Sequence, residues 1–185
     1  MIKKLKSRAG LTLTELMITL AILTMFSSAC LVGIAAAIRT RNENIKVGNA
    51  DILASMVSGL ITEELSLSSN LKSPDGPSIK YTSVEGERGD AEMSLSSNGH
   101  LMITYGTNAS ATPKPMLSEA AYGSVSKNII GTSSVIELRI DDLQFKITNG
   151  ADGCKIVNVS FKILDSDSNV IKEDSFLVRP LNDIK

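Results

Sequence analysis

One stretch limits everything else this chain can be. From Leu11 to Ile38 there is a single charged residue, Glu15, in 28 positions. The cleaner part, Leu16 to Ile38, holds 23 residues. As a helix it extends roughly 35 Å, enough to cross a hydrocarbon core ~30 Å thick. Its flanks are unequal: Lys3, Lys4, Lys6 and Arg8 precede it with no acidic residue among them. The positive-inside rule then keeps the N-terminus in the cytoplasm and sends the remainder across, giving a single-pass inner membrane protein with an extracytoplasmic body. A secretory signal would carry about 7–15 apolar residues before a small-residue cleavage site. Ser27 and Ala29 supply small residues, but the apolar run continues beyond them through Cys30 to Ile38. Cleavage before Cys30, as in a lipoprotein, would leave the same apolar stretch behind. A plain membrane anchor accounts for everything except Glu15.

That carboxylate needs a reason, since an acidic residue inside an apolar helix costs about 2.5–3.5 kcal/mol on insertion scales and by default has a functional partner. Its surroundings read Lys6-Ser-Arg-Ala-Gly10, then Leu11-Thr-Leu-Thr-Glu15-Leu-Met-Ile18. This resembles the class III signal of type IV prepilins and pseudopilins. In that family a short basic leader ends in glycine and a prepilin peptidase cuts after it. The new N-terminal residue is methylated, and a glutamate stands fifth in the mature chain. The resemblance covers about thirty residues and implies cleavage between Gly10 and Leu11, N-methylation of Leu11 and a subunit-assembly role for Glu15. Two features depart from the pattern: leucine stands where phenylalanine is usual at the mature N-terminus, and the apolar run has no proline. Gly33 is the one local weak point available to the helix. The physics of the glutamate follows from the cut. A new amine at Leu11 lies four residues before the carboxylate, and in a bundle of apolar helices a neighbour's amine neutralises Glu15. A paired buried charge is tolerated and fixes register, which an open-ended helical assembly requires.

Beyond Arg39 the helical pattern continues. Ile52/Leu53, Met56/Val57 and Leu60/Ile61 recur every four residues, with Ile45 before and Leu65 after, so residues 39–71 are expected to extend the spine as an amphipathic helix whose apolar stripe lies on a sheet. Ser68-Ser69-Asn70 and Pro74-Asp-Gly-Pro77 end it. Residues 72–185 read as an extracytoplasmic β-rich domain. Ile79–Val84 is a short strand, and Met93–Tyr105 a hairpin turning at Ser97-Asn98-Gly99. A loop rich in Thr, Ser, Ala and Pro spans 106–127. Ile136, Leu138 and Ile140 alternate, then Leu143, Phe145 and Ile147 alternate on the opposite parity, which places a bulge or turn at Asp141-Asp142. Val157–Ile163 and Val170–Val178 complete a meander. The expected class is α+β: a long N-terminal helix, its lower half in the membrane, packed on an antiparallel sheet. Pilin-like proteins share that arrangement, and the closing strands are similar to those of J-type minor pseudopilins.

Little in the chain points to catalysis or to cofactors. From Arg39 onward there are 15 basic and 19 acidic residues, a balance that argues against phosphate-backbone binding and hence against nucleic acid. Two cysteines, Cys30 and Cys154, and one histidine, His100, do not make a zinc site, and no internal disulfide is expected. Asp165-Ser-Asp167-Ser-Asn169 begins like a calcium loop, yet Val170 stands where glycine is needed and Phe176 where an acidic ligand is needed; a hairpin turn is the better reading. Asp141 and Asp142, adjacent in a strand, point to opposite faces. Asn108-Ala-Ser110 matches a glycosylation pattern that occurs often by chance. No metal, no cofactor and no catalytic residue is assigned, and an enzyme is not expected.

The resemblance implies a structural subunit, a minor one, of a type IV pilus, a type II secretion pseudopilus or a competence pilus. Its partners would be the prepilin peptidase, other pilins or pseudopilins, the assembly platform protein, membrane lipid and, indirectly, the assembly ATPase. The alternative is a membrane-tethered extracytoplasmic ligand-binding domain that does not polymerise.

Overall fold

A computed structural model describes residues 12–72, 76–83, 89–106, 111–127, 133–150 and 154–181. The chain divides into two compact units, Met1–Asn44 and Ile45–Lys185, and the first element, helix α1 (Leu13–Ser66), belongs to both. It passes through Gly33 as uninterrupted α-helix, so that glycine makes no break.

In the first unit every apolar side chain from Leu13 to Ile34 is exposed. The three back-bonded hydroxyls along this stretch are satisfied within the helix. Thr19, Thr24 and Ser28 donate to the carbonyls of Leu16, Ala21 and Met25 at 2.8–2.9 Å. A hydroxyl bonded back to its own helix leaves no orphan donor in an apolar medium.

The second unit is built on the rest of α1. Leu53, Val57, Ile61 and Leu65 are fully buried, with Ala50 and Ala54 beside them. The expected stripe paired Leu53, Val57 and Ile61 each with its predecessor, but Ile52 is 56 % exposed and Met56 45 %. Consecutive helical residues lie 100° apart, so as Leu53 and Val57 point into the core, Ile52 and Met56 turn toward the flank of the stripe. The helix also stops earlier than position 71. Ser66 and Ser68 turn their hydroxyls back onto the carbonyls of Glu63 and Leu65. Asn70 then takes a left-handed conformation with φ 52°, and Ser69 exchanges backbone hydrogen bonds with Thr82.

Two four-stranded antiparallel sheets, rather than one, share the core. The first has the order β1 (Ile79–Thr82), β2 (Asp90–Leu95), β3 (Leu101–Tyr105) and β4 (Lys114–Pro115). Its β2–β3 hairpin turns at Ser97-Asn98-Gly99, with Leu95 opposite Leu101. The second has the order β5 (Gly123–Lys127), β6 (Ser133–Asn149), β7 (Lys155–Asp165) and β8 (Val170–Val178). Strand β6 runs 17 residues in one piece. The parity switch is a bulge within it: pairing with β7 shifts between Asp141 and Gln144, and Asp142 has φ 51°. The extra residue lets Ile140, Leu143 and Phe145 all turn inward. Ile79, Tyr81, Met93 and Leu101 from the first sheet join Phe145, Val159, Phe161 and Ile163 from the second around the α1 stripe in one apolar cluster.

Residues 106–127 are not a plain loop. They contain β4, a one-turn helix α2 (Glu119–Tyr122) and β5. Tyr122 anchors the segment: its ring is buried and its hydroxyl accepts the Leu101 backbone N–H at 2.8 Å. The hairpin turn meets the second sheet at Gly99, whose carbonyl accepts the Ile140 N–H at 3.0 Å. Only glycine fits there, because φ is +75° and a Cβ would lie 2.5 Å from the Ile140 carbonyl oxygen.

Polar contacts fasten α1 to both sheets. Glu64 accepts from the Tyr81 hydroxyl at 3.0 Å and from the Ser83 hydroxyl at 3.2 Å. Burial, then the negative charge of Glu64, pushes the Tyr81 phenol upward, so it remains a donor. On the other side Lys172 reaches Asp51 at 2.6 Å and Lys46 reaches Asp165 at 3.2 Å.

Candidate assembly site

Gly10 and Leu11, the expected cleavage and methylation positions, lie outside the described residues. Glu15 lies within them, in the first turn of α1. Thr12 stands just before the helix, and its backbone N–H donates to Glu15 Oε2 at 3.0 Å. Its hydroxyl donates to the same oxygen at 3.1 Å, while the Glu15 N–H approaches Thr12 Oγ1 at 3.3 Å. This is a capping box, in which an N-cap threonine and a glutamate three residues on satisfy each other's otherwise orphaned donors. A carboxylate at this end also meets the positive pole of the helix dipole.

The sequence reading missed this arrangement although its signal was present, a Thr-x-x-Glu immediately before an apolar run. It changes the logic of the site. Glu15 already has a local use, so its presence alone does not separate an assembling subunit from a tether. Among the described residues Oε1 takes no hydrogen bond, which leaves one oxygen of the carboxylate for a partner.

The helix that carries Glu15 is long and apolar enough to cross a membrane, with a mean hydropathy of 2.2 over its best window and none of that window buried. Unpartnered apolar surface on this scale demands lipid or other apolar helices.

The remaining residues singled out in the sequence do not form a second centre. His100 stacks on Tyr122 with ring centroids 4.2 Å apart. Asp142 pairs with Lys162 at 3.0 Å. Cys30 and Cys154 are free thiols. Asp165 acts as a turn cap: Oδ1 accepts the N–H groups of Asp167 and Asn169 at 3.0 and 2.9 Å, and Oδ2 accepts from Lys46. Burial pushes its carboxyl up, but the hydrogen bonds from Asn169, Lys46 and Asp167 outweigh that and hold it below the usual range. No group of three or more metal-ligating side chains occurs among the described residues. The Asn108-Ala-Ser110 pattern lies outside them.

Residues 5–31 match the family model of the prokaryotic N-terminal methylation motif. No curated protein and no solved structure matches the chain. The motif, followed by an α+β pilin-like arrangement, is consistent with a type IV pilin-like protein. It supports a pilin- or pseudopilin-type substrate of prepilin peptidase, anchored by one apolar helix.

Proposed function

We propose that this chain is a non-enzymatic structural subunit, and a minor one, of a type IV pilus, a type II secretion pseudopilus or a competence pilus. The observation that carries the reading is the methylation motif over residues 5–31 with Glu15 inside it at the head of an unpartnered apolar helix. The subunit is held in the inner membrane with its N-terminus cytoplasmic, cut after Gly10 and methylated on Leu11. It is then drawn into a filament as Glu15 meets the amine of a neighbouring subunit. Two charges brought together in a low-dielectric bundle attract strongly enough to select one axial register.

The capping box dictates which variant tests this. Glutamine at the same place still closes the box but carries no charge. Glu15→Gln is therefore expected to leave the helix and leader processing intact and to lower incorporation into filaments at least ten-fold, measured by immunoblot of sheared filaments against total membrane protein. Normal incorporation of Glu15→Gln would refute charge pairing. Mass spectrometry of the protein from its own host checks the earlier steps, with a methylated N-terminus at Leu11 expected. An uncleaved Met1 start would instead fit the tethered domain that never polymerises.

A further inference from the structure

A cleft in the second unit, about 640 Å³, has no part in the assembly chemistry above. It opens where the β2–β3 turn, α2, the middle of β6 and the β7–β8 turn converge. Its size falls within the roughly 300–1,000 Å³ range of small-molecule sites.

We propose that this cleft binds a saccharide, through carboxylate, guanidinium and amide contacts to ring hydroxyls and through the His100 ring that lines it. The lining dictates the class. Glu137 and Arg139 stand on the exposed face of β6, Glu119 opens α2, and Asn98 projects from the hairpin turn. Among the described residues Glu119 and Glu137 have no ion-pair or hydrogen-bond partner, so their oxygens are open to a ligand. An anion would meet these two carboxylates and that of Asp165, which also lines the cleft, and a cation would meet Arg139. An apolar ligand would strand Glu119, Glu137 and Arg139. A hydroxyl both donates and accepts, so a ligand whose edge is a row of hydroxyls satisfies acceptors and donors set side by side.

The second element is the histidine. Tyr122 stacks on the His100 ring at 4.2 Å and 16°, and the half-buried histidine lines the cleft. An aromatic face carries partial negative charge and attracts the polarised C–H groups on the flat side of a sugar ring.

The walls are held before any ligand arrives. Arg139 donates to the Ser168 hydroxyl at 2.8 Å. Tyr122 is fixed by the Leu101 N–H, and the turn bearing Asn98 is pinned through Gly99 to Ile140. Rotamers fixed in advance reduce the ordering cost of binding.

The test uses the full chain in a zwitterionic alkylphosphocholine detergent, because glycoside detergents would occupy the site themselves. Saturation-transfer NMR is run with three probes: maltotriose, cellotriose and the β-linked trimer of N-acetylglucosamine. At least one is expected to receive saturation, and titration should give about a ten-fold weaker Kd for Arg139→Gln and for His100→Ala. Both positions are exposed or half-buried, and unchanged thermal unfolding of the variants separates lost contact from lost fold. No transfer to any of the three trimers overturns the proposal. Transfer that persists unchanged in both variants overturns it equally, as does displacement of the sugar signal by triarginine, which would make the cleft a cation site.

Discussion

Asp165 shows how much of this fold hangs on single polar side chains. It closes the β7–β8 turn and holds Lys46 of α1 while being 2 % exposed. Its carboxyl is held low in the folded protein, whereas in the unfolded chain it titrates at about 3.9. A group whose folded pKa is depressed stabilises the fold above its unfolded pKa, and that contribution disappears as pH falls through the folded value. Asp165→Asn keeps the shape and an acceptor oxygen but loses the charge facing Lys46. The variant is therefore expected to unfold at a lower temperature than the parent at pH 7, with the gap closing as pH drops below about 4, followed by circular dichroism of the full chain in detergent. A gap that stays constant down to pH 2.5 would mean that the charge contributes nothing. At this same scale the sequence was half legible. Asp165 reads as a turn residue from its neighbours, but its partner Lys46 is 119 residues away, and no local pattern connects them. The capping box at Thr12 and Glu15 was readable in full.

Among the elements, α1 separates two kinds of apolar residue that look identical in sequence. Ile52 and Ile61 both belong to the repeating pairs, yet Ile61 is fully buried and Ile52 is 56 % exposed. Ile61→Ala removes buried methylenes and leaves a cavity in the shared core, costing about 2–5 kcal/mol. Ile52→Ala alters surface and should stay within about 0.5 kcal/mol. Denaturant unfolding of the two variants, compared through their midpoints, checks the contrast, and equal losses would place the stripe on the wrong side of the helix. Period and parity were what the sequence conveyed. The parity switch at Asp141-Asp142 located the bulge because each side of it buries its own alternate residues. Alternation says which face of a strand is inside but not which sheet the strand joins, so the division into two sheets was hidden. The short α2–β5 segment was hidden for another reason: it is held by the buried Tyr122 and by the pairing of β5 with β6, and neither leaves a local period in the sequence.

For the whole molecule, the two free cysteines supply a probe of the side of the membrane that carries the β unit. Cys30 lies in the apolar part of α1 and Cys154 at the start of β7, half-buried, with the Arg179 guanidinium 3.4 Å from its sulfur. The cations before the apolar run vanish from the protein if the leader is removed, so orientation must be set while Lys3, Lys4, Lys6 and Arg8 are still attached. With the N-terminus cytoplasmic, Cys154 faces outward. In Cys30→Ser protein a charged, membrane-impermeant maleimide is then expected to label Cys154 in intact spheroplasts. In Cys154→Ser protein the same reagent should leave Cys30 unlabelled, because a thiol in hydrocarbon is neither reachable by the reagent nor readily ionised to the reactive thiolate. Labelling of Cys154 only after lysis would reverse the orientation and remove the filament reading with it, since a cytoplasmic β unit cannot be extracted outward. Labelling of Cys30 in intact spheroplasts would instead place the apolar half of α1 in water, leaving its exposed leucines, isoleucines and phenylalanine without a solvent that suits them.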